Sequence, residues 1–286
     1  MKRIKIITAI IAAAAVITAA AFMISPQLRF TAQAVISSLD KGENLQEITA
    51  SKSDFVTAEL SELKYGKNCV FDQSLILVNK EHPLPADFEP ELIRYENTEA
   101  NLNSAACSAF IQMRDRISER FDSRLLIMSA YRNRDKQLEI YNEDNDGTAA
   151  KPGESEHETG LGIDVYVKYF AGKGFLKSDV GKYVNKNCGK FGFIIRYPLG
   201  KKHITGFDYE PWHIRYVGLP HSQIISDCSL TLEEYIESIE IDCFYQYGNY
   251  IISKQDGNEL IIPSKYESLT VSPDNLGNLI ITAKIR

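Results

Sequence analysis

The chain has 286 residues, of which 44% are hydrophobic and 24% are charged, as in ordinary folded proteins. This length allows one or two domains, and the composition excludes a wholly disordered chain. The formal net charge of -6 argues against the basic surface that nucleic-acid binding requires, so no nucleic-acid partner is expected.

The N-terminus begins with basic residues and continues as an apolar run. Lys2, Arg3 and Lys5 precede residues 6–24, which carry no charged side chain, and about 20 apolar residues can span a membrane. Basic residues at this end favour a cytoplasmic start and an extracytoplasmic remainder. We predict that residues 1–29 are a membrane anchor through 6–24, or a signal peptide if the chain is cleaved and secreted.

A polar region follows, and residues 30–69 are predicted to form a stalk. The folded domain is predicted over 70–240 and begins with an apolar strand candidate at 74–80. Asn97 or Thr98 is predicted to cap a helix whose apolar residues recur every three or four positions. This spacing indicates a helix that faces the core.

The next elements place an arginine between a strand and a helix. Residues 125–130 predict the strand and residues 134–143 the helix, with Arg132 between them. The remaining elements predicted for this domain are a strand at 163–167, helices at 180–188 and 231–239, and a strand at 193–197.

Short strand candidates separated by turn residues follow, at 244–247, 250–253, 260–262 and 279–285. We predict a small C-terminal β extension over 241–286 that packs on the main domain, with a role as a wall or partner address as the alternative. Because strands and helices mix without regular alternation, we predict an α+β fold with a small antiparallel sheet flanked by helices.

Two short runs contain the residues needed for a catalytic zinc site. S-E-H-E-T-G-L-G-I-D-V carries His157 and Asp164, and Y-E-P-W-H-I-R-Y-V-G carries Glu210 and His213. Zinc accepts nitrogen and oxygen ligands, and three protein ligands leave a position for water. We predict His157, Asp164 and His213 as ligands and Glu210 as the general base.

The spacing in the first run requires a bend. His157 and Asp164 are seven residues apart, a separation that would point them to opposite faces of an unbroken strand. Gly160 and Gly162 permit the bend, because glycine enters unusual backbone conformations at little cost.

In the second run, Pro211 favours an extended Glu210, so Glu210 and His213 are predicted to lie on a sharp turn. Other carboxylates compete for the role of base by proximity. They are Glu156 and Glu158, both predicted to face solvent, and Asp208, predicted to form a turn.

Substrate recognition is predicted to involve one cation and several neutral groups. Arg132 can stabilise developing negative charge or bind a peptide carboxylate. Gln137 and Ser155 are hydrogen-bonding candidates, and Trp212 is either a core residue or a wall of the substrate site.

These runs, together with S-A-Y-R-N-R-D-K-Q and V-N-K-E-H-P-L-P upstream, resemble the D-alanyl-D-alanine carboxypeptidases of the VanY type. That family consists of zinc peptidases that share a fold with hedgehog-like domains, and the resemblance spans residues 75–239. It implies the ligands and base named above, with Arg132 polarising the substrate and Gln137 and Ser155 at its terminal carboxylate.

The resemblance therefore implies an extracytoplasmic enzyme with one Zn²⁺ that removes the terminal D-alanine from peptidoglycan stem peptides ending in D-Ala-D-Ala. Three alternatives stay open: an L,D-carboxypeptidase, a D,D-dipeptidase and a non-catalytic cell-wall binding module. The presence of Glu210 argues against the last, because a binding module needs no base beside an open zinc.

Overall fold

The computed structural model describes residues 45–49, 54–66 and 68–286. The membrane segment predicted at 6–24 lies outside these residues. Within the described ranges, no helix combines the length and the apolar character needed to cross a membrane.

Helices and strands follow one another irregularly, which confirms the predicted α+β class. The helices described are α1 (Leu60–Leu63), α2 (Ser104–Phe121), α3 (Arg134–Glu143), α4 (Asp179–Asn187), α5 (Lys202–Thr205), α6 (His221–Asp227) and α7 (Leu232–Ser238). The strands described are β1 (Gln46–Ile48), β2 (Phe55–Glu59), β3 (Cys69–Phe71), β4 (Leu92–Arg94), β5 (Asn101–Asn103), β6 (Leu126–Ser129), β7 (Gly162–Tyr166), β8 (Phe193–Ile195), β9 (His213–Tyr216), β10 (Phe244–Tyr247), β11 (Tyr250–Gln255), β12 (Glu259–Pro263), β13 (Ser268–Pro273) and β14 (Leu279–Lys284).

The central sheet has the antiparallel order β6-β7-β9-β8. Ile163 and Val165 of β7 and Ile214 of β9 are buried in one core cluster with residues of α2 and α4. Because side chains alternate along a strand, Asp164 and His213 project from the opposite face. That face of the sheet carries two of the three predicted metal ligands, Asp164 and His213.

The starts of α2 and α3 differ in how well the sequence predicted them. The cap predicted at Asn97 or Thr98 is wrong, because the chain first forms the hairpin β4–β5. Asn103 caps α2 instead, its side chain accepting from the backbone N–H of Ala105 at 3.0 Å. Helix α3 has the predicted bounds and is capped by Asn133.

The predicted strand at 74–80 is not a strand, although its apolar residues are buried. Two of its carbonyl groups bond to a guanidinium instead of a neighbouring strand. Arg215 Nη2 donates to the carbonyl oxygens of Ser74 at 3.1 Å and Ile76 at 2.8 Å. These two backbone acceptors are thus satisfied without a sheet partner.

A second sheet has the order β1-β10-β11-β14-β13-β3, and β12 pairs separately with β2. The predicted stalk at 30–69 therefore needs correction where the structure describes it. Residues 46–48 and 55–59 are strands that pair with C-terminal strands. Pairing satisfies edge groups that β10 and β12 would otherwise expose.

The C-terminal strands share a core with the preceding chain. Tyr245, Ile252 and Ile280 are buried together with Leu75, Ile194 and apolar residues of α6 and α7. The predicted domain at 70–240 and the predicted extension at 241–286 thus contribute side chains to one hydrophobic cluster.

Candidate metal centre and active site

The strand pair β7–β9 sets two of the predicted ligands side by side. Asp164 and His213 are direct partners in this antiparallel pair, and His213 Nδ1 lies 2.9 Å from Asp164 Oδ1. Because both residues lie on strands of the same sheet, their separation is fixed by the register of the sheet.

His157 approaches from a short 3-10 turn, Glu156–Thr159, that precedes β7. The bend predicted between His157 and Asp164 occurs at Gly160, whose φ is 70°. The His157 ring is oriented by its Nδ1, 2.7 Å from the carbonyl oxygen of Ala130. Its Nε2 is then directed to Asp164, 3.3 Å from Oδ2.

The three predicted ligands therefore converge, with one donor atom of each within 4.8 Å of the others. The two imidazoles lie edge to face, with ring centroids 5.0 Å apart. Two nitrogen donors and one carboxylate oxygen match the ligand types that zinc prefers, so the residues present fit this metal.

The electrostatic surroundings also suit ligand roles. Burial lowers the pKa of His157, which favours the neutral ring. Burial would raise the pKa of Asp164, but the two histidines hold it well below its usual range. Burial likewise opposes charge on His213, yet the hydrogen bond to Asp164 and the nearby carboxylate of Glu156 raise its pKa to about 9. In a ligand role His213 would give up that proton.

Glu210 lies beside this cluster. The predicted sharp turn is present, since the backbone N–H of His213 donates to the Glu210 carbonyl at 3.1 Å. Glu210 Oε2 is 3.9 Å from His213 Nδ1, and its side chain is 26% exposed. Burial raises the pKa of Glu210, the direction expected for a carboxylate that accepts a proton near neutral pH.

Arg132 lies between β6 and α3 and is anchored by its backbone N–H, which donates to the His157 carbonyl at 3.1 Å. Its Nη1 donates to Ser129 Oγ at 3.3 Å. Its Nε is buried and has no hydrogen-bond partner among the described residues. Burial lowers the pKa of Arg132, while the negative charges of Asp164 and Glu210 act to raise it. The guanidinium therefore interacts electrostatically with carboxylates of the site.

The other predicted substrate residues have different surroundings. Gln137 is buried and donates from Nε2 to the Ala150 carbonyl at 2.6 Å, while its Oε1 has no partner in the described part of the chain. Ser155 is buried at the start of the His157 turn. Trp212 is partly buried and packs against the main core.

The sequence reasoning missed several residues around the site. Glu156 and Glu158 were predicted to face solvent, but both are buried, because Glu156 pairs with buried arginines and Glu158 accepts from the backbone N–H of Gly153. Tyr197 was also missed, and its ring lies 4.9 Å from that of His213. An available signal was Arg196 inside the apolar run F-I-I-R-Y, where a buried charge requires a partner.

An α+β fold that gathers two histidines and an aspartate beside a half-buried glutamate is typical of zinc peptidases. Residues 99–219 match the model of the VanY family, described as D-alanyl-D-alanine carboxypeptidase. A D-alanyl-D-alanine carboxypeptidase of Enterococcus faecium is 30% identical over 238 residues, which cover 74% of this chain and 76% of that protein. The chain belongs to the VanY family, which confirms the predicted family and its enzyme class, the carboxypeptidases.

Two solved structures extend the comparison. A mutant of the vancomycin resistance D,D-pentapeptidase VanY in complex with Zn(II) is 32% identical, with a TM-score of 0.51 over 57% of this chain and 98% of that one. The LD-carboxypeptidase LdcB is 36% identical, with a TM-score of 0.54 over 58% of this chain and 87% of that one. These likenesses confirm the predicted DD-peptidase type of fold.

Proposed function

We propose that this chain is a zinc-dependent D-alanyl-D-alanine carboxypeptidase that removes the terminal D-alanine from peptidoglycan stem peptides. The observation that carries the proposal is the cluster of His157, Asp164 and His213, with donor atoms within 4.8 Å of one another, beside Glu210. Membership of the VanY family supports the same substrate class.

The metal site would be formed by His157, Asp164 and His213, with one Zn²⁺ per chain. A zinc ion at such a site supplies a Lewis acid that polarises a peptide carbonyl and lowers the pKa of water to about 7. Asp164 supplies the one anionic ligand, and the Ala130 carbonyl keeps the lone pair of His157 Nε2 directed into the cluster.

Proton transfer is assigned to Glu210. Its raised pKa allows it to take a proton from the attacking water and to deliver it to the leaving amine of D-alanine. Because Glu210 and His213 are joined by one turn, the base stays at a fixed place beside the ligands.

Substrate binding is assigned to Arg132, Gln137, Ser155 and Trp212. The unpartnered Nε of Arg132 is available to a carbonyl or carboxylate oxygen of the peptide. Gln137 and Ser155 are proposed to contact the terminal carboxylate, with Trp212 at the edge of the site. The basic and apolar start of the chain supports an extracytoplasmic enzyme held at the membrane through residues 6–24.

An L,D-carboxypeptidase is the second candidate, favoured by the 36% identity to LdcB. The two activities differ in the residue that precedes the cleaved D-alanine. In this candidate the metal and Glu210 would have the same roles, and the difference would lie in the substrate-binding groups.

Defined stem peptides separate the two candidates. We expect the purified full chain with zinc to release one D-alanine from a pentapeptide ending in D-Ala-D-Ala, detected by mass spectrometry, and to leave the tetrapeptide intact. Trimming of the tetrapeptide alone would support the second candidate. Absence of both products from a zinc-loaded, folded chain would contradict the proposed function.

A further inference from the structure

The two ring nitrogens of His213 have different neighbours. Its Nδ1 lies beside the ligand Asp164, and its Nε2 is directed toward a buried carboxylate, that of Glu156. His213 Nε2 and Glu156 Oε2 face each other at 3.7 Å. Both atoms are buried, and neither has a hydrogen-bond partner among the residues that the structure describes. A shift of about 0.5–1 Å would bring this pair within hydrogen-bond range.

The backbone keeps that side of the ring closed. A Cβ on Gly162 would lie 3.3 Å from His213 Nε2 and 3.2 Å from Glu156 Cβ. A side chain at this position would crowd both groups, whereas glycine leaves them room to approach. Nε2 therefore faces the Glu156 carboxylate, whereas Nδ1 lies beside Asp164 and Glu210.

The orientation of the Glu156 carboxylate is fixed by two buried arginines. Arg196 Nε and Arg215 Nη1 each donate to Glu156 Oε1 at 2.6 Å. All three side chains are 0% exposed. With one carboxylate oxygen held by both guanidiniums, the other oxygen is left for His213.

The matching carboxylate on the other side of His157 behaves differently. Glu158 Oε1 accepts from the Gly153 backbone N–H at 2.6 Å, and its Oε2 lies 3.4 Å from Arg134 Nε. Both of its oxygens thus have partners that are unconnected with a metal ligand. Of the two buried glutamates in this turn, Glu156 is therefore the one with an unpaired oxygen that faces a predicted ligand.

We propose that Glu156 is the positioning residue of the metal centre, accepting a hydrogen bond from His213 Nε2 so that the Nδ1 lone pair points into the cluster. The inference rests on the metal site of the proposed function. A carboxylate behind a ligating histidine fixes its tautomer and orientation and raises its basicity. The two arginines hold one oxygen of Glu156 in place, so the other oxygen already faces His213 Nε2 before metal arrives.

The direct test is Glu156→Gln with Glu233→Gln as the matched control. In Glu156→Gln the amide oxygen remains with the guanidiniums, and the amide nitrogen faces Nε2 as a second donor. Glu233→Gln removes a carboxylate from the same network, since Glu233 Oε1 lies 2.6 Å from Arg196 Nη2, without touching His213.

We expect Glu156→Gln to weaken zinc binding about 10–100-fold in a chelator competition assay and to change the absorption spectrum of the cobalt-substituted protein. We expect Glu233→Gln to bind zinc with the affinity of the parent and to keep its cobalt spectrum. Equal zinc affinities and identical cobalt spectra in all three proteins would overturn the inference.

A measurement on the unchanged chain covers the case in which Glu156→Gln does not fold. ¹⁵N NMR of the zinc-loaded protein should show the His213 proton on Nε2, hydrogen-bonded and slow to exchange. A proton on Nδ1, or one that exchanges rapidly on Nε2, would contradict the role of Glu156. Failure of the parent chain to bind zinc would instead count against the proposed function.

Discussion

At the scale of single residues, the side chain proposed as the general base, Glu210, is placed by the turn that precedes β9. The turn that joins Glu210 to His213 sets the carboxylate 3.9 Å from His213 Nδ1. Burial raises its pKa, which brings it closer to the pH at which a general base works best. Asp208, which the sequence offered as a rival, lies outside the cluster and pairs with Lys202 at 2.9 Å, with its side chain 72% exposed.

Glu210→Gln is expected to keep zinc and lose turnover. The amide retains the shape of the side chain but cannot accept the proton, so kcat should fall by about 10²–10⁴. Metal content and kcat should be measured on the same sample, with Asp208→Asn as the control that retains both. A Glu210→Gln protein with the kcat of the parent would remove Glu210 from the mechanism.

The residue types at the site could be read from the sequence because they lie in two short runs. Glu156 could not be read in this way. Whether a glutamate beside a histidine faces solvent or the core depends on Arg196 and Arg215, which come from strand segments far along the chain. Pairing between distant charges is a tertiary property that local spacing does not contain.

At the scale of elements, the turn before β7 depends on one glycine. Gly160 has a φ of 70°, and a Cβ there would lie 2.5 Å from Leu92 Cδ2 and 2.9 Å from the Asn103 backbone nitrogen. Asn103 N–H in turn donates to the Gly160 carbonyl at 2.9 Å. This backbone hydrogen bond joins Asn103, the N-cap of α2, to the turn that carries His157.

Gly160→Ala is expected to reduce both stability and metal affinity. The left-handed backbone alone costs about 1–3 kcal/mol for a residue with a side chain, and the clash with Asn103 displaces the His157 turn. Gly174→Ala is the control, because a Cβ there meets nothing within 4 Å. Urea unfolding and zinc titration of both variants test this, and equal results for the two would contradict it.

The elements that the sequence predicted best are those with local signals. Helix α3 has its predicted bounds and α7 has its predicted capping box. The segment at 74–80 has the composition of a strand, but its carbonyls bind a guanidinium supplied by β9. Composition alone does not distinguish these two ways of satisfying a buried backbone.

At the scale of the whole molecule, the C-terminal strands support the part of the chain that carries the site. Asn275, in the turn between β13 and β14, donates from Nδ2 to the Leu77 carbonyl at 3.0 Å and to the His82 carbonyl at 3.2 Å. Tyr245, Ile252 and Ile280 fill a core shared with α6 and α7. Burial of three such side chains contributes roughly 4–9 kcal/mol, comparable with the net stability of a domain.

Removal of residues 241–286 is therefore expected to unfold the chain, and not merely to remove a segment that binds the cell wall or a partner. The point variant Ile280→Ala should cost about 2–5 kcal/mol of unfolding free energy. The control Leu276→Ala, at a position 42% exposed, should change stability by less than about 0.5 kcal/mol. A truncated chain with cooperative unfolding and full zinc affinity would contradict this view.

A buried histidine also joins these parts. His221 of α6 contacts the Tyr235 hydroxyl of α7 through Nδ1 at 2.6 Å and Thr282 Oγ1 of β14 through Nε2 at 2.9 Å. Burial lowers the pKa of His221 from 6.5 to about 3. The folded chain thus holds this ring neutral at pH values where the unfolded chain would protonate it.

Stability should fall as the pH drops from 6.5 toward 3, because the unfolded state binds a proton that the folded state does not. Between pH 7 and pH 5 the loss from this one group is about 2 kcal/mol. His221→Gln should remove that part of the slope, whereas the exposed control His203→Gln should retain it. Identical slopes in the two variants, measured by urea unfolding, would show that His221 is not responsible.

The second sheet has a consequence for the order in which the molecule can be made. Its central strand β14, between β11 and β13, lies near the C-terminus, while β1 and β3 come from the start of the described chain. During synthesis β1 and β3 emerge long before the strands that will pair with them. The sheet therefore cannot be completed until residue 284 has been added, and the earliest strands must remain unaggregated while all the intervening residues are translated.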